Sequence, residues 1–247
     1  MITNKTKSIG SWISIGSTSI AEIMADAGFD WLCIDMEHSA IDYEKMQDLI
    51  LTIQSKGLEC FVRVGGNDAI IIKRALDSGA NGVIIPLIKN KNDAVEAVKN
   101  TFYPPKGERG VNSLSRAQGY GFKFEEYASK VNIETNLILQ IEHIDAINNL
   151  EDIISTDGVT GTIIGPYDLS ASMGIPGELE NEKVKDAISK YEQLCKKYKK
   201  PLGFHVVEPK GEMLQQKIEL GYEFLALSWD GYFLGKMCRD QLKKVKY

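Results

Sequence analysis

The chain holds 247 residues, 43% of them hydrophobic and 26% charged, with a formal net charge of −5, which suits one large soluble globular domain or two small ones. Mixed charges without a basic stripe interleaved with aromatics exclude the electrostatic footprint of nucleic-acid binding, and no run of about eighteen apolar residues is present to span a membrane. Residues 1–7 are polar and lack an apolar segment of signal-peptide length, and Cys33, Cys60, Cys195 and Cys238 are widely spaced, so we expect a cytoplasmic protein with reduced thiols and no membrane or nucleic-acid partner.

In chain order, apolar or β-branched runs at 12–15, 31–34, 60–64, 82–87, 137–141, 161–164, 201–207 and 224–227 read as strands. Most are continuous apolar runs, as expected of strands buried on both faces of a parallel sheet. Between and after them, residues 19–27, 43–56, 69–78, 93–100, 145–155, 182–199, 213–220 and 232–244 carry the helical period. The phrases "ADAGFD", "ALDSGANG" and "IELGYEF" each read as helix end, glycine cap, next strand. Eight strand–helix units in this length predict an α/β fold, a (β/α)8 TIM barrel forming one domain over 1–247. A doubly wound open sheet competes, but no G-x-G-x-x-G follows the first strand. Residues 101–136 form the one long connection and carry "YPPKGERG". A connection that long is expected to be functional, here as an active-site rim.

Catalytic groups of such a barrel come from the carboxyl ends of its strands. There the sequence places Asp35, Glu37 and His38 after the second strand, Arg63 in the third, Gln140 and Glu142 in the fifth, Asp168 after the sixth, His205 and Glu208 with the seventh, and Asp230 after the eighth. Gln140 and Glu142 are two apart and so share a face. Arg63 lies between Val62 and Val64 and needs an anion or several acceptors there, the structural alternative being an ion pair with Glu37 or Asp35 that only holds the barrel together. Glu142 and Asp168 offer oxygen ligands suited to a hard divalent cation such as Mg²⁺ or Mn²⁺. His38, three residues after Asp35, is placed to be oriented by it as a base, and Arg63 to stabilise an oxyanion. Together these groups suit proton abstraction, or bond making and breaking, next to a carbonyl. No lysine lies inside a predicted strand, which argues against a Schiff-base aldolase, and no G-x-S-x-G is present for a serine nucleophile.

The stretches "AEIMADAGFDWLCIDMEH", "VRV", "ALDSGANGVIIPLI", "YPPKGERG", "LQIEHIDAINNLEDI" and "IIGPYDLSASMG" resemble, in order and over most of the chain, the metal-dependent (class II) pyruvate aldolases of the phosphoenolpyruvate/pyruvate TIM-barrel superfamily. This is the group of 4-hydroxy-2-oxo-heptane-1,7-dioate aldolase and 2-dehydro-3-deoxyglucarate aldolase. The resemblance implies reversible cleavage of a 4-hydroxy-2-oxo acid to pyruvate and an aldehyde through a metal-bound pyruvate enolate. It implies Glu142 and Asp168 as metal ligands, with Mg²⁺ or Mn²⁺ ahead of Co²⁺ or Zn²⁺. His38 with Asp35 becomes the acid/base and Arg63 the enolate-stabilising group. Gln140, Gly165, Pro166, Tyr167, Asp168 and Arg109 become substrate-binding residues. It also implies a homo-oligomer, a hexamer or trimer of dimers with exchanged carboxyl-terminal helices.

Phe102 stands where that family usually has an arginine before "YPP", although Arg109 is retained. Glu37 is open between a structural ion pair with Arg63 and a functional role, and His205 between a core histidine and a pocket residue. His143 follows Glu142, so strand alternation turns it away and a structural role is expected. Two other readings stay open: a related metal-enolate lyase or decarboxylase acting on another 2-oxo acid or an acyl-CoA, and a non-catalytic oxo-acid-binding barrel.

Overall fold

Apolar strand runs and short glycine-capped helices build a closed parallel barrel in the computed structural model, which describes residues 2 and 6–245. Of the polar stretch 1–7, residues 1 and 3–5 lie outside the described residues. The strands are β1 (Ser8–Ile13), β2 (Trp31–Asp35), β3 (Glu59–Arg63), β4 (Gly82–Ile85), β5 (Asn136–Ile141), β6 (Gly161–Ile164), β7 (Gly203–Val206) and β8 (Phe224–Trp229). Each pairs in parallel with its sequence neighbours, and β8 closes on β1 through a register shift between Gly10 and Trp12. The helices are α1 (Thr18–Ala25), α2 (Tyr43–Ser55), α3 (Ala69–Asp77), α4 (Lys91–Thr101), α5 (Phe124–Glu134), α6 (Ile144–Asn148), α7 (Leu150–Ile154), α8 (Pro166–Ser172), α9 (Glu182–Lys197), α10 (Gly211–Glu219) and α11 (Asp230–Leu242).

Strand alternation divides the core into two layers. Leu32, Ile34, Val62, Val83, Leu139 and Ile141 face outward and pack beneath the helices. Trp31, Cys33, Phe61, Ile84, Ile138 and Phe224 fill the interior. At the amino end Trp31 stacks on Phe224 with centroids 4.2 Å apart, and Phe61 meets Trp31 edge-on at 5.7 Å. Gly10 makes room for this plug, since a Cβ there would lie 2.0 Å from the Trp31 ring. Following the same inward positions to the carboxyl end leads from Cys33 to Asp35, from Phe61 to Arg63, and from Ile138 to Gln140 and Glu142. The interior is thus apolar at one end and ionic at the other.

The caps behave as the sequence implied. Gly28 and Gly79 hold φ of 96° and 98° after α1 and α3, a conformation costly for residues with a Cβ. Cys33, Cys60, Cys195 and Cys238 are all free thiols, and only Cys238 is exposed.

Three expectations are corrected. The segment predicted as helix over 145–155 breaks at Asn149 into α6 and α7. Residues 166–172 form α8, which the helical period did not mark, with Pro166 at its first turn, where proline is pre-organised for a helix. Residues 101–136 are not one long loop, because they contain a 3-10 segment (Arg116–Gly121) and α5. This segment joins α4 to β5, and a helix-to-strand connection lies at the amino end of a parallel barrel. It is therefore not the rim of the ionic end.

Candidate active site

The register of β2 and β3 sets Asp35 beside Arg63. The guanidinium grips the carboxylate with two parallel hydrogen bonds, Nε to Oδ1 at 3.0 Å and Nη2 to Oδ2 at 2.6 Å. Its Nη1 lies 3.3 Å from Glu37 Oε2. Asp35 Oδ1 also accepts the backbone N–H groups of Glu37 and His38 at 3.0 and 3.2 Å. Burial alone pushes the Asp35 carboxyl up, but the Arg63 bonds and charge, with those two amides, hold it below the usual carboxylate range. Glu37 moves the other way: burial pushes it up against the pull of Arg63, and the charge of Glu142 adds to the rise. The expected ion pair of Glu37 with Arg63 is present.

His38 departs from expectation. Asp35 binds its main chain rather than its ring, because both carboxylate oxygens already face Arg63. The imidazole is exposed at the rim, with Nε2 3.6 Å from Glu37 Oε2. Glu37 is the carboxylate next to the ring.

On the opposite wall, β5 aims Gln140 and Glu142 inward, and both are buried. Gln140 Nε2 donates to Glu142 Oε2. Glu142 Oε1 accepts the Leu87 N–H at 2.7 Å, from a residue held at φ 61°. A left-handed leucine is strained backbone, and here it points an amide at the carboxylate. Burial pushes the Glu142 carboxyl up. The Leu87 and Gln140 bonds oppose that, and the charge of Asp168 adds to it. Asp168 lies exposed in the first turn of α8.

Two observations bear on a cation. Gln140 Oε1 is buried with no partner. Gly165 lies against Glu142 and Gln140 where a Cβ would meet Glu142 Cβ at 3.2 Å and Gln140 Nε2 at 3.5 Å. No cluster of three or more histidine, cysteine or acidic side chains that could hold a metal occurs among the described residues. The donor set is thus two carboxylates and a free amide oxygen beside a position kept clear of side chain. Such hard oxygen donors fit a divalent cation whose other positions are taken by substrate and water.

These walls enclose a small cavity of about 120 Å³, lined among others by Trp12, Arg63, Gln140, Asp168 and His205. Gly165, Pro166 and Tyr167 form its edge, with Tyr167 exposed at the mouth. Trp12 was not singled out from the sequence. Its ring lies under the guanidinium of Arg63, 4.5 Å from Cζ, and its buried Nε1 has no partner. Alternation along β1 offered the signal, since Gly10, Trp12 and Ser14 share a face. Leu87 was also missed, and its residue type gives no hint of a left-handed backbone.

His205 faces the interior from β7. Its ring lies 5.5 Å from Trp12, its Nε2 is 3.3 Å from the Ser228 carbonyl oxygen, and burial lowers its pKa to about 4. It lines the cavity rather than the core alone. His143 is structural, as expected, its Nδ1 accepting the Asp145 N–H at the start of α6. Asp230 does not reach the cavity; it accepts N–H groups of Ser14, Ile15 and Gly231 and ties β8 to β1.

Arg109 is the clearest correction. It is buried at the amino end, where Nη1 reaches the Thr101 carbonyl at 3.2 Å, Nη2 the Tyr127 hydroxyl at 2.7 Å, and Asp77 lies 3.9 Å away. Its guanidinium covers the Tyr103 ring at 4.3 Å. Within this chain it braces α3, α4 and α5 rather than touching the cavity.

The family signature described as HpcH/HpaI aldolase/citrate lyase matches residues 8–236. A 2-dehydro-3,6-dideoxy-6-sulfogluconate aldolase of Pseudomonas putida is 36% identical over 246 residues, covering 100% of this chain and 95% of that protein. A 4-hydroxy-2-oxo-heptane-1,7-dioate aldolase of Escherichia coli is 35% identical over 92% of this chain and 86% of its own length. Among solved structures, an HpcH/HpaI aldolase/citrate lyase family protein from Burkholderia cenocepacia superposes with a TM-score of 0.93 at 32% identity, covering 100% of this chain and 97% of that one.

Proposed function

Because the chain belongs to the HpcH/HpaI aldolase/citrate lyase family and is a carbon–carbon lyase, we propose that it reversibly cleaves a 4-hydroxy-2-oxo acid to pyruvate and an aldehyde at the carboxyl end of its barrel. The observation that carries this reading is the bonded pair Gln140–Glu142, close enough to Asp168 to feel its charge, at a small cavity that Gln140 and Asp168 share with Arg63. The family is metal-dependent. Here Glu142 and Asp168 would hold the cation, Mg²⁺ or Mn²⁺ by the hardness of their oxygens. When bound, it polarises the keto group and lowers the energy of enolate formation.

The cavity, about 120 Å³, accepts the three-carbon oxo-acid end. The N–H groups of Tyr167 and Asp168, in the unbonded opening turn of α8, take the carboxylate. Arg63, anchored by Asp35 and Glu37, presents positive charge where negative charge grows on the keto oxygen. Its two bonds to Asp35 and its ion pair with Glu37 keep it from reorganising as that charge appears. In cleavage, His38 accepts the 4-hydroxyl proton, the C3–C4 bond breaks, and its electron pair passes to the enolate. A proton then returns to C3 to give pyruvate. Glu37, 3.6 Å from the ring, orients His38 and offsets its positive charge.

We further place the protein in the cytoplasm as a homo-oligomer, a trimer of dimers exchanging carboxyl-terminal helices. What supports assembly is α11, where Leu234, Met237 and Leu242 are exposed and only Asp230 is buried. Three buried free thiols suit a reducing compartment. No helix among the described residues is long and apolar enough to cross a membrane.

The test is pyruvate release from 4-hydroxy-2-oxo acids, coupled to NADH oxidation by lactate dehydrogenase. Turnover is expected to vanish with chelator, return with Mg²⁺ or Mn²⁺, and fall about 10²-fold or more in Asp168→Asn. Turnover indifferent to chelator and to Asp168 would overturn the reading.

A further inference from the structure

On the helix side of the barrel wall, β7 turns Phe204 outward beneath α9 and α10. A groove of about 500 Å³ runs over it between those helices, with Ile188, Ser189 and Glu192 from α9 and Met213 and Lys217 from α10. Its volume lies within the range of about 300–1,000 Å³ typical of small-molecule sites. Arg63, Gln140, Glu142 and Asp168 are not among its lining residues.

Lys217 lies at the floor of this groove. Its side chain is 16% exposed, and Nζ lies 4.1 Å from the Phe204 ring centroid and 4.9 Å from that of Tyr222. The two rings meet edge-on, 5.6 Å apart, and form an apolar corner around the amine. The carboxylate that faces it, Glu192, has Oε1 4.0 Å away and already accepts the Tyr222 hydroxyl at 2.7 Å. The other ions of the groove are matched elsewhere, Lys185 with Glu180 at 3.1 Å and Lys210 with Glu208 at 2.6 Å. Burial lowers the Lys217 pKa, and Glu192 only partly offsets that. Burial lowers Lys106 and Lys200 too, but their amines are committed to the carbonyl oxygens of Asn132 and Val159 at 3.0 and 2.6 Å. A lysine desolvated in an apolar pocket is a nucleophile, and Lys217 opens onto a space that can hold its reaction partner.

The surroundings select the electrophile. Acylation would remove the positive charge that Phe204, Tyr222 and Glu192 favour. Carbon dioxide would put a carbamate anion beside Glu192. An aldehyde does neither, because its iminium keeps the charge on nitrogen, against both rings and the carboxylate. An anionic tail would meet Glu180, Glu192 and Glu208, whereas Ile188, Phe204 and Met213 suit an apolar one.

We propose that Lys217 is a covalent aldehyde-binding site, which takes aldehydes with apolar chains as iminium adducts in the groove between α9 and α10. The ammonium first yields a proton to Glu192. The amine's electron pair then forms the C–N bond, the carbonyl π pair moves to oxygen, and the nitrogen passes one proton to that oxygen. Glu192 returns its proton to the resulting hydroxyl, which leaves as water as the C=N bond forms. Ammonium and aldehyde become iminium and water, with no other reactant consumed. The site lies outside the barrel interior, so it takes no part in aldol cleavage and stands whether or not the proposed function does.

Limiting hexanal with cyanoborohydride at neutral pH tests it on the whole protein. Reduction fixes each iminium as a secondary amine, which peptide mass spectrometry places lysine by lysine. Labelling of Lys217 is expected to exceed that of exposed Lys130 about tenfold or more. At Lys217 hexanal is expected to exceed acetaldehyde about tenfold for its four further methylenes, with no such preference at Lys130. Ser189→Trp, an exposed substitution on the groove wall, lowers hexanal labelling of Lys217 about fivefold or more and leaves Lys130 unchanged. Labelling of Lys217 no faster than Lys130, equal use of the two aldehydes at Lys217, or labelling indifferent to Ser189→Trp at unchanged Tm overturns the proposal.

Discussion

Removing either member of the Arg63–Asp35 pair should cost far more than half of removing both. Arg63→Leu leaves Asp35, 6% exposed, facing Glu37 with no guanidinium between them. Breaking a buried pair in this way costs about 3–5 kcal/mol. Asp35→Leu frees Nε and Nη2 of Arg63 and also orphans the N–H groups of Glu37 and His38. Retention of Glu37 by Nη1 limits its cost to about 3–4 kcal/mol. In the double variant an apolar pair replaces an ionic one at nearly no cost. What remains is two orphaned amides at about 1 kcal/mol each and an unpaired Glu37. The double variant should therefore lose about 3–4 kcal/mol, not the sum of about 7, a coupling of about 3 kcal/mol. Urea unfolding of the four chelator-stripped proteins near neutral pH, at one fixed protomer concentration, measures the cycle. Single costs that add within about 0.5 kcal/mol would refute the bidentate pair as the organiser of this wall.

Gly165→Ala keeps an ordinary backbone but puts a Cβ 3.2 Å from Glu142 Cβ. It should weaken Mn²⁺ binding about tenfold by titration calorimetry with little change in Tm, and unaltered affinity would contradict the assignment of Glu142. Arg109→Leu should cost about 3–5 kcal/mol, because it strips Asp77 and Tyr127 of a fully buried partner. KM for pyruvate should not move, whereas raised KM at unchanged stability would return Arg109 to the substrate. His205 binds a proton near pH 4 when folded and near 6.5 when unfolded. The unfolded chain holds more protons in that window, so stability falls as pH drops from 6.5 toward 4, by about 2–3 kcal/mol. His205→Phe should remove that share of the acid loss in urea titrations at stepped pH, and identical pH slopes would contradict it.

Seven of the eight strands were legible because a parallel stave must be apolar on both faces, and Gly28, Gly57, Gly79 and Gly221 mark where a helix ends before the next strand; β1, expected over 12–15, lies at Ser8–Ile13 because its polar Ser8, Gly10 and Ser11 hide it from that pattern. The clustering of Arg63, Gln140, Glu142 and Asp168 followed from the same alternation once the barrel direction was known. The partner of Asp35 followed only as an alternative, because a buried Arg63 needs an anion and either Asp35 or Glu37 could supply it. Spacing along the chain offered His38, but strand register put Arg63 directly beside it, and a bidentate fork outcompetes a single ring nitrogen. α5 escaped because Val131 is its one buried residue, which leaves almost no apolar stripe to read. Arg109 was misplaced although chain direction alone, helix before and strand after, locates its loop at the amino end. Leu87 and its left-handed backbone were beyond the sequence, since the strain is imposed by the turn that follows β4.

The central claim is that the carboxyl end of this barrel makes a pyruvate enolate between Arg63 and the Glu142–Asp168 carboxylates. Incubating chelator-stripped protein with pyruvate in D₂O, and following the methyl proton signal with and without Mg²⁺ or Mn²⁺, tests it without knowledge of the aldehyde. The account predicts exchange that requires added metal, collapses in Glu142→Gln, and falls about 10²-fold or more in Arg63→Leu. Exchange that persists without metal and in Glu142→Gln, or fails to appear with either ion although pyruvate binds, would contradict it.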